Sequence, residues 1–345
     1  MHPNETAPAL LQDRDRALDW LTAASPVLLM AFYYYRWQTV GLALLAAAGY
    51  AAVYALLQWA GLARVTAAPA LAVGAWSAML LSAATPLWVA AIAGMIAAIV
   101  AFLPELAGRW LPRSRPLLHP VLMGYLFVRW VFPAYVQAYT LPVLWAPLDA
   151  VPAATRLTPL TDPASYNLWH LFLGIRESAL GEGCIPVMLL AAGYLLIRHR
   201  LRLIAPALML GTVAALSHWI WGAPLQGLLV GSTVLAAVLL ADRACAPAPW
   251  SAQVITGIVA GGVAVLLRAW IGDDGCAIGV VVACLLSPLY PPLLRLCRRG
   301  ALWLWGLMRR YIPPAAARLW RWITALVKKI TVLLREKFAK SKNKC

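Results

Sequence analysis

Residues 39–61 read TVGLALLAAAGYAAVYALLQWAG and contain no charged side chain. About 20 apolar residues in a helix cross the hydrocarbon core of a bilayer, so this stretch by itself predicts a membrane span. The rest of the chain agrees, because 63% of its 345 residues are apolar and only 12% are charged. A soluble domain has about half apolar and a quarter charged residues. The composition therefore excludes a soluble globular enzyme and a disordered or fibrous chain.

Similar apolar runs occur on both sides of this stretch. They predict an all-α membrane protein with about ten transmembrane helices, at residues 18–35, 39–61, 68–83, 86–104, 118–140, 183–197, 203–219, 223–241, 252–270 and 275–292. Residues 168–182 are too polar and too short to span. We expect them to form a re-entrant or interfacial segment that protein shields, because lipid does not tolerate irregular backbone.

The Lys and Arg residues between these spans orient the chain. With the N-terminus inside, the inner segments carry 24 of them, and the outer loops carry only Arg36 and Arg156. Cytoplasmic loops carry the excess of Lys and Arg in membrane proteins. The counts predict a multi-pass protein of the bacterial cytoplasmic membrane, with both termini in the cytoplasm and residues 141–168 on the outer face.

The net charge of +16 is concentrated in the C-terminal tail. Residues 295–345 contain 14 of the 29 basic residues and one of the 13 acidic residues, Glu336. Tryptophans alternate with these basic residues, which predicts a basic amphipathic helix on anionic lipid. Docking to a cytoplasmic subunit is the alternative, and nucleic acid is not an expected partner.

Two segments with small residues and a terminal break suggest an internal repeat. Residues 74–88 break at Pro86, and residues 227–250 break between Asp242 and Pro249. They belong to the third and the eighth span, so they are offset by five spans, an odd number, and the second copy is inverted, as in many transporters. The predicted organisation is a cytoplasmic N-terminus (1–17), a first five-helix half (18–140), an outer segment (141–182), a second half (183–292) and the tail (293–345).

No motif of a soluble enzyme occurs in the chain, and no catalytic residue is predicted. The five histidines contain no i, i+4 pair and the six cysteines contain no CxxC pair, so neither a metal site nor a disulfide framework is expected. The cysteines before the tail are expected to be small buried side chains.

The outer loop contains the string Asp149-Ala-Val-Pro-Ala-Ala-Thr155. It resembles the flavin transferase substrate motif Asp-x-x-(Ser/Thr)-Gly-Ala-Thr, in which FMN is joined to the threonine hydroxyl through a phosphoester. Asp149, Ala154 and Thr155 match the motif. Pro152 lacks the hydroxyl and a backbone donor, and Ala153 tolerates a positive φ less well than glycine.

Four further segments resemble motifs of one family, in the family's order. Residues 119–127 (HPVLMGYLF) resemble Asn-Pro-Ala-x-x-Gly-x-x-Phe, and Phe132-Pro133 resembles the following Phe-Pro. Residues 178–184 (SALGEGC) resemble Gly-Ser-Ile-Gly-Glu-Thr-Ser, and residues 241–247 (ADRACAP) resemble Thr-Asp-Pro-Val-Thr-Ser-Pro. Over residues 15–295 the chain is similar to the RnfD component of the Rnf ion-translocating ferredoxin:NAD oxidoreductase. That family includes the NqrB component of the sodium-pumping NADH:quinone oxidoreductase, and the chain resembles a divergent member.

The resemblance implies a translocase subunit that is not catalytic alone. It would carry covalent FMN at Thr155, relay electrons across the membrane and couple ferredoxin/NAD chemistry to Na⁺ or H⁺ translocation. Noncovalent riboflavin or FMN in the bundle is compatible with the same role. The implied partners are the other Rnf subunits and a flavin transferase. The arginine count places Thr155 on the outer face independently of the motif.

Arg156 and Arg129 are the candidates for binding the flavin phosphate. For Arg129, snorkelling, a structural pair and pairing with a glutamate of another subunit are alternatives.

Gly181, Glu182, Glu177 and Asp242 are candidates for an ion pathway, because ionisable groups at membrane depth are costly and are usually functional. The structural alternatives are a pair between Arg176 and a neighbouring glutamate, and helix capping by Asp242.

Two other functions fit the same sequence. One is a secondary transporter or channel for a small solute without a redox cofactor, as the repeat suggests. The other is a membrane scaffold whose basic tail recruits partners.

Overall fold

The computed structural model describes residues 7–61, 67–107, 118–139, 155–156, 168–174, 178–229, 232–243, 245, 247, 249–271 and 275–290. The described residues up to Pro288 form one compact unit. The predicted tail helix lies outside the described residues, and the predicted domain boundaries stay a prediction.

The first part of the chain is helical up to a short strand. Its elements are α1 (Ala7–Tyr35), α2 (Trp37–Trp59), α3 (Ala67–Leu80), α4 (Leu87–Ala107), α5 (Pro120–Val131), α6 (Pro133–Val136) and β1 (Ala138–Tyr139). Arg36 makes the turn between α1 and α2 with a φ of 57°. Pro120 stands in the first turn of α5, where its missing N–H leaves no bond unmade.

The second part begins with the partner strand and continues as helices. Its elements are β2 (Thr155–Arg156), α7 (Leu168–Leu173), a 3₁₀ turn (Leu180–Glu182), α8 (Ile185–Ile197), α9 (Ile204–Trp221), α10 (Pro224–Leu229), α11 (Thr233–Leu240), α12 (Trp250–Ile271) and α13 (Gly275–Leu286), followed by a 3₁₀ turn (Ser287–Leu289).

Three helices of the described chain are long and apolar enough to cross a membrane: Trp37–Trp59, Ile204–Trp221 and Trp250–Arg268. Shorter apolar helices occupy Pro69–Leu80, Leu87–Leu103, Pro120–Val131, Ile185–Ile197 and Gly275–Leu289. These helices confirm an all-α membrane protein. The total of ten spans stays a prediction.

Exposed tryptophans stand at both ends of α2 and α12. Trp37 and Trp59 are 72% and 89% exposed, and Trp250 and Trp270 are 71% and 85% exposed. At 1.5 Å per residue, each pair is separated by about 30 Å, which is the thickness of the hydrocarbon core. Tryptophan is enriched at the two membrane–water interfaces, so these side chains agree with both helices being full spans.

Two predicted spans differ from the helices observed. In the predicted span 118–140 the helix is interrupted at Phe132, between α5 and the short α6, because Pro133 cannot donate a backbone hydrogen bond and disfavours helical backbone at Phe132. The predicted span 223–241 consists of α10 and α11, with Ser232 in a turn before α11.

The packing of α2 to α5 recurs in α9 to α13. Helix α2 packs on α3 and α4, and α4 packs on α5. Correspondingly, α9 packs on α10, α11 and α12, and α12 packs on α13. Helices α3 and α11 are the most buried elements of the two sets.

Glycines make the same close approaches in both sets. A Cβ on Gly94 of α4 would overlap the carbonyl of Ala46 in α2, and a Cβ on Gly261 of α12 would lie 2.7 Å from the carbonyl oxygen of Met209 in α9. In each set, the carbonyl oxygen of the residue just before that glycine lies close to a glycine of the following helix. This second glycine is Gly124 of α5 in the first set and Gly279 of α13 in the second. The recurrence of both contacts agrees with the predicted 5+5 repeat.

Candidate functional site

Thr155 is placed by a short antiparallel hairpin. Strand β2 pairs with β1 so that Tyr139 lies opposite Thr155 and Ala138 lies opposite Arg156. Because β1 follows α5 and α6 directly, the backbone of Thr155 lies at the C-terminal end of α5. Asp149 and Ala154 lie outside the described residues, as do the two positions that depart from the motif.

Arg129 occupies the last turn of α5 at the same end. It is only 8% exposed, which argues against the alternative that its guanidinium snorkels to water. Its side chain lines a cavity of about 160 Å³ between the α5–α6 segment and the α12–α13 pair. With the amide of Gln137 oriented so that its oxygen faces the guanidinium, that oxygen accepts hydrogen bonds from both terminal nitrogens of Arg129.

Gln137 immediately precedes β1. The structure therefore brings together Arg129, Gln137 and the backbone of Thr155 and Arg156. Sequence reasoning identified Arg129 and Thr155 separately and missed Gln137, which no motif distinguishes.

The part of the predicted re-entrant or interfacial segment just before α8, residues 178–184, is buried by protein, whereas residues 168–173 form α7, in which Trp169 is exposed. The Leu180 N–H donates to the Leu81 carbonyl at the end of α3, 3.0 Å away. Gly181 lies against Met79, where a Cβ would approach the Met79 Cβ to 2.6 Å. Glu182 is buried beside them. Glu177 and Arg176 lie outside the described residues.

Asp242 lies at a second polar cluster, at the opposite end of α5. Its two carboxylate oxygens accept hydrogen bonds from Nη2 of Arg16 at 2.7 and 2.6 Å. Nε2 of His119, the residue before α5, lies 3.7 Å from the same carboxylate. The carboxylate is thus hydrogen-bonded to a residue of α1 and lies close to the residue that precedes α5. Helix capping was the structural alternative that the sequence offered for it.

Asp19, one turn along α1 from Arg16, is buried in the same region. It accepts hydrogen bonds from Nε of Arg198 at 2.9 Å and Nε of Arg200 at 2.6 Å. The hydrogen bond from Arg198 to Asp19 raises the pKa of Arg198. We call Arg16, Asp19, His119, Arg198, Arg200 and Asp242 the polar cluster of α1.

Backbone contacts join the two loops that carry this cluster. Leu201 and Asp242 form an antiparallel bridge, and the Arg202 N–H donates to the Ala241 carbonyl at 2.7 Å. The sequence assigned these arginines to inner loops without pairing them. The signal that could have revealed the cluster is Asp19, an acid within a predicted span.

The ends of α3 and α11 are thus both contacted by segments distant in the sequence. The segment before α8 binds the end of α3, and the N-terminal part of α1 binds the loop after α11. Reciprocal contacts of this kind arise from two-fold symmetry. They further support the repeat.

Arg268 is completely buried near the end of α12. It donates to the Gly227 carbonyl at 2.8 Å, to the Thr233 hydroxyl at 2.6 Å and to the Cys276 sulfur at 3.3 Å. One guanidinium therefore joins α10, α11 and α13. The sequence placed Arg268 near the membrane without a role.

The described cysteines are small buried side chains, as predicted. Cys184, Cys245, Cys276 and Cys284 are buried, and none of these four forms a disulfide. In the described part of the chain, no group of three or more His, Cys, Asp or Glu residues is arranged to hold a metal ion.

Comparison with known proteins supports the resemblance noted from the motifs. None of the curated proteins compared with the chain matches it. The NQR2, RnfD, RnfE family matches residues 12–300, which include the hairpin, the cavity and the polar cluster of α1. Members of this family are integral membrane subunits of multi-subunit, redox-driven, ion-translocating complexes of the Rnf and Nqr type. With most of its length matched, this chain belongs to the NQR2, RnfD, RnfE family.

Proposed function

We propose that the chain is an Rnf-type subunit that carries FMN on Thr155 and relays electrons across the bacterial cytoplasmic membrane. Ferredoxin and NAD would react at partner subunits, so this subunit is not catalytic alone. Electron transfer would be coupled to Na⁺ or H⁺ translocation. FMN supplies a carrier that can accept and donate one or two electrons, and riboflavin or FMN bound without a covalent bond in the bundle is compatible with this role.

The observation that carries the proposal is the pairing of β2 with β1. It positions Thr155 beside the end of α5, next to a segment that carries a buried arginine. A phosphoester on this threonine would lie near the cationic Arg129 and next to Arg156 in the chain. The residues on this side thus fit a phosphorylated cofactor, since guanidinium groups bind phosphate through paired, charge-assisted hydrogen bonds.

The predicted orientation of the chain in the membrane agrees with the proposed flavin transferase and with the proposed position of the tail. Attachment of FMN by a flavin transferase requires a loop on the outer face, where the arginine distribution puts Thr155. The basic tail would lie on anionic lipid at the cytoplasmic face, with both termini on that side.

Two buried acids support an ion pathway near the contacts between the halves. Glu182 lies where the segment before α8 meets α3, and Asp242 lies where the loop after α11 meets α1. We propose Glu182 and Gly181 as pathway residues, because both lie in the buried segment before α8. Glu177, just before this segment, and Asp242 are further candidates.

The mass of the intact chain tests the covalent flavin. We expect the chain co-expressed with a flavin transferase to gain the mass of one FMN minus one water, and Thr155→Ala to lose this gain. Thr158→Ala, in the same predicted outer loop, is the matched control and should keep it. A colourless wild-type chain of unmodified mass would overturn the proposal.

A secondary transporter or small-solute channel is the second candidate. The observation in its favour is the repeated packing of α2–α5 and α9–α13, with charged residues buried where the halves meet. Inverted repeats of this type are built around a substrate site in transporters. An unmodified chain in the mass experiment would favour this alternative, because it needs no redox cofactor.

A further inference from the structure

Two loops lie together at the end of the molecule where α8 ends and α9 begins. The Arg243 N–H donates to the Arg200 carbonyl at 3.1 Å, next to the bridge between Leu201 and Asp242. Backbone bonds therefore hold Arg243 beside the α8–α9 loop, which carries Arg198 and Arg200. We call Arg198, Arg200 and Arg243 the loop arginines.

A single buried carboxylate orients two of the loop arginines. Asp19 is only 4% exposed and accepts one hydrogen bond from Nε of Arg198, at 2.9 Å, and one from Nε of Arg200, at 2.6 Å. Within the described part of the chain, the terminal Nη nitrogens of these two arginines make no hydrogen bond. One negative charge thus fixes two positive groups. The paired terminal nitrogens of each are left to a further acceptor, and a phosphate matches the geometry of this fork.

The loop arginines can be reached from outside the fold. The Arg198 side chain is 51% exposed, the Arg200 side chain is 23% exposed, and Arg243 is also exposed. The neighbouring acids do not balance their charge. Residues 13–19, 198–202 and 242–243 contain six arginines and four aspartates, which leaves a net charge of +2. The complementary partner of this surface is therefore an anion.

Exposed aliphatic side chains flank the α8–α9 loop. Ile197 and Leu203 are 77% and 51% exposed, and Ile204, the first residue of α9, is 39% exposed. Helix α9 is long and apolar enough to cross a membrane, so its first residues lie at a membrane surface. A soluble anion covers none of this apolar area. A phospholipid covers it with acyl chains while its headgroup lies at the arginines.

We propose that the loop arginines bind the phosphate of one anionic phospholipid of the phosphatidylglycerol class, whose acyl chains cover Ile197 and Leu203. Basic pockets on the cytoplasmic side of membrane proteins bind anionic headgroups, and the predicted orientation puts this loop on that side. Asp19 acts as the positioning residue, since it holds two guanidinium groups without touching the lipid. The site is separate from the basic tail and does not depend on the proposed flavin attachment.

Photolabelling of the full-length chain tests this site. The chain is placed in phosphatidylcholine nanodiscs that contain a small amount of one of two probes, phosphatidylglycerol or phosphatidylcholine, each with a diazirine in an acyl chain. Mass spectrometry of peptides then measures the labelling of residues 195–205. We expect the phosphatidylglycerol probe to label this segment about fivefold more than the phosphatidylcholine probe, because each arginine near an anionic headgroup adds to the affinity. Equal labelling by the two probes in the wild-type chain would overturn the proposal.

The first variant is Arg243→Gln, which leaves both hydrogen bonds of Asp19 in place. It should lower the preference for the phosphatidylglycerol probe at least about twofold. Arg243→Lys should retain most of the preference, since it keeps the charge. Arg198→Gln should lower the preference further, because it also removes a paired contact with the phosphate.

Lys342→Gln is the matched control. It removes one positive charge from the basic tail, outside the site, and should leave the labelling of residues 195–205 unchanged. If Lys342→Gln lowers the preference as much as Arg243→Gln, the labelling reflects general attraction of the lipid to a basic protein, and the assignment to the loop arginines fails. An unchanged preference in Arg243→Gln would contradict it equally.

Discussion

The carboxylate of Asp242 shows how a single residue joins distant parts of the chain. Its partner Arg16 is 226 positions away in the sequence and donates to both of its oxygens. The Asp242 side chain is buried, whereas the Arg16 side chain is 34% exposed. The pair therefore stabilises the fold mainly by neutralising the buried carboxylate, because burying that charge without a cation would cost free energy.

We expect Asp242→Asn to destabilise the chain. The substitution removes the charge that binds Arg16 and weakens the contact with His119, at a cost of about 1–3 kcal/mol. Thermal unfolding of the detergent-solubilised protein measures this as a lower midpoint. Asp15→Asn is the matched control, because Asp15 is an exposed acid on the same helix. Equal midpoints for the two variants would show that the pair contributes nothing.

At the scale of elements, the close packing of helices depends on single glycines. Gly261 and Gly262 are neighbours in α12, but only Gly261 faces α9. A Cβ on Gly261 would lie 2.7 Å from the Met209 carbonyl oxygen, whereas a Cβ on Gly262 meets nothing within 4 Å. Sequence periodicity predicted α12 correctly but did not distinguish these two glycines.

Gly261→Ala should therefore destabilise the protein, and Gly262→Ala should not. Overpacking a tight contact costs about 1–3 kcal/mol, whereas alanine in place of an unobstructed helical glycine gains up to about 1 kcal/mol in helix propensity. Thermal unfolding of the two variants side by side is the measurement. A higher midpoint for Gly261→Ala than for Gly262→Ala would contradict the packing of α9 on α12.

At the scale of the whole molecule, the prediction concerns orientation. The distribution of Lys and Arg predicts that both termini are cytoplasmic and that residues 141–168 lie outside. A fluorescent protein fused after Cys345 should fold and fluoresce. An alkaline phosphatase at the same position should be inactive, because that enzyme folds only outside the cytoplasm.

An alkaline phosphatase inserted after Leu144 should be active, since this position lies in the predicted outer loop. The opposite pattern of activities would reverse the orientation. It would also place Thr155 on the cytoplasmic side, where the proposed attachment of FMN would have to be abandoned.

Much of the fold followed from the sequence because its signals are local. Runs of apolar residues indicate helices whatever they pack against, and Pro86, Pro133 and the breaks after α3 and α11 mark their ends. The family was also recognisable, because short partial motifs in the same order are a property of sequence alone. The glycine contacts that relate the two halves could not be predicted from the sequence, since any small residue in an apolar helix fits the same pattern.

By itself, therefore, the sequence determined an all-α membrane protein, the family and the candidate threonine. Only the tertiary structure decided which charges meet: Arg16 with Asp242, Asp19 with Arg198 and Arg200, and Arg129 with Gln137 beside the Thr155 hairpin. The physical reason is that hydrophobicity acts on each segment separately. An ion pair or hydrogen bond instead requires two particular groups within about 3–4 Å, and only the packing of the helices sets that distance.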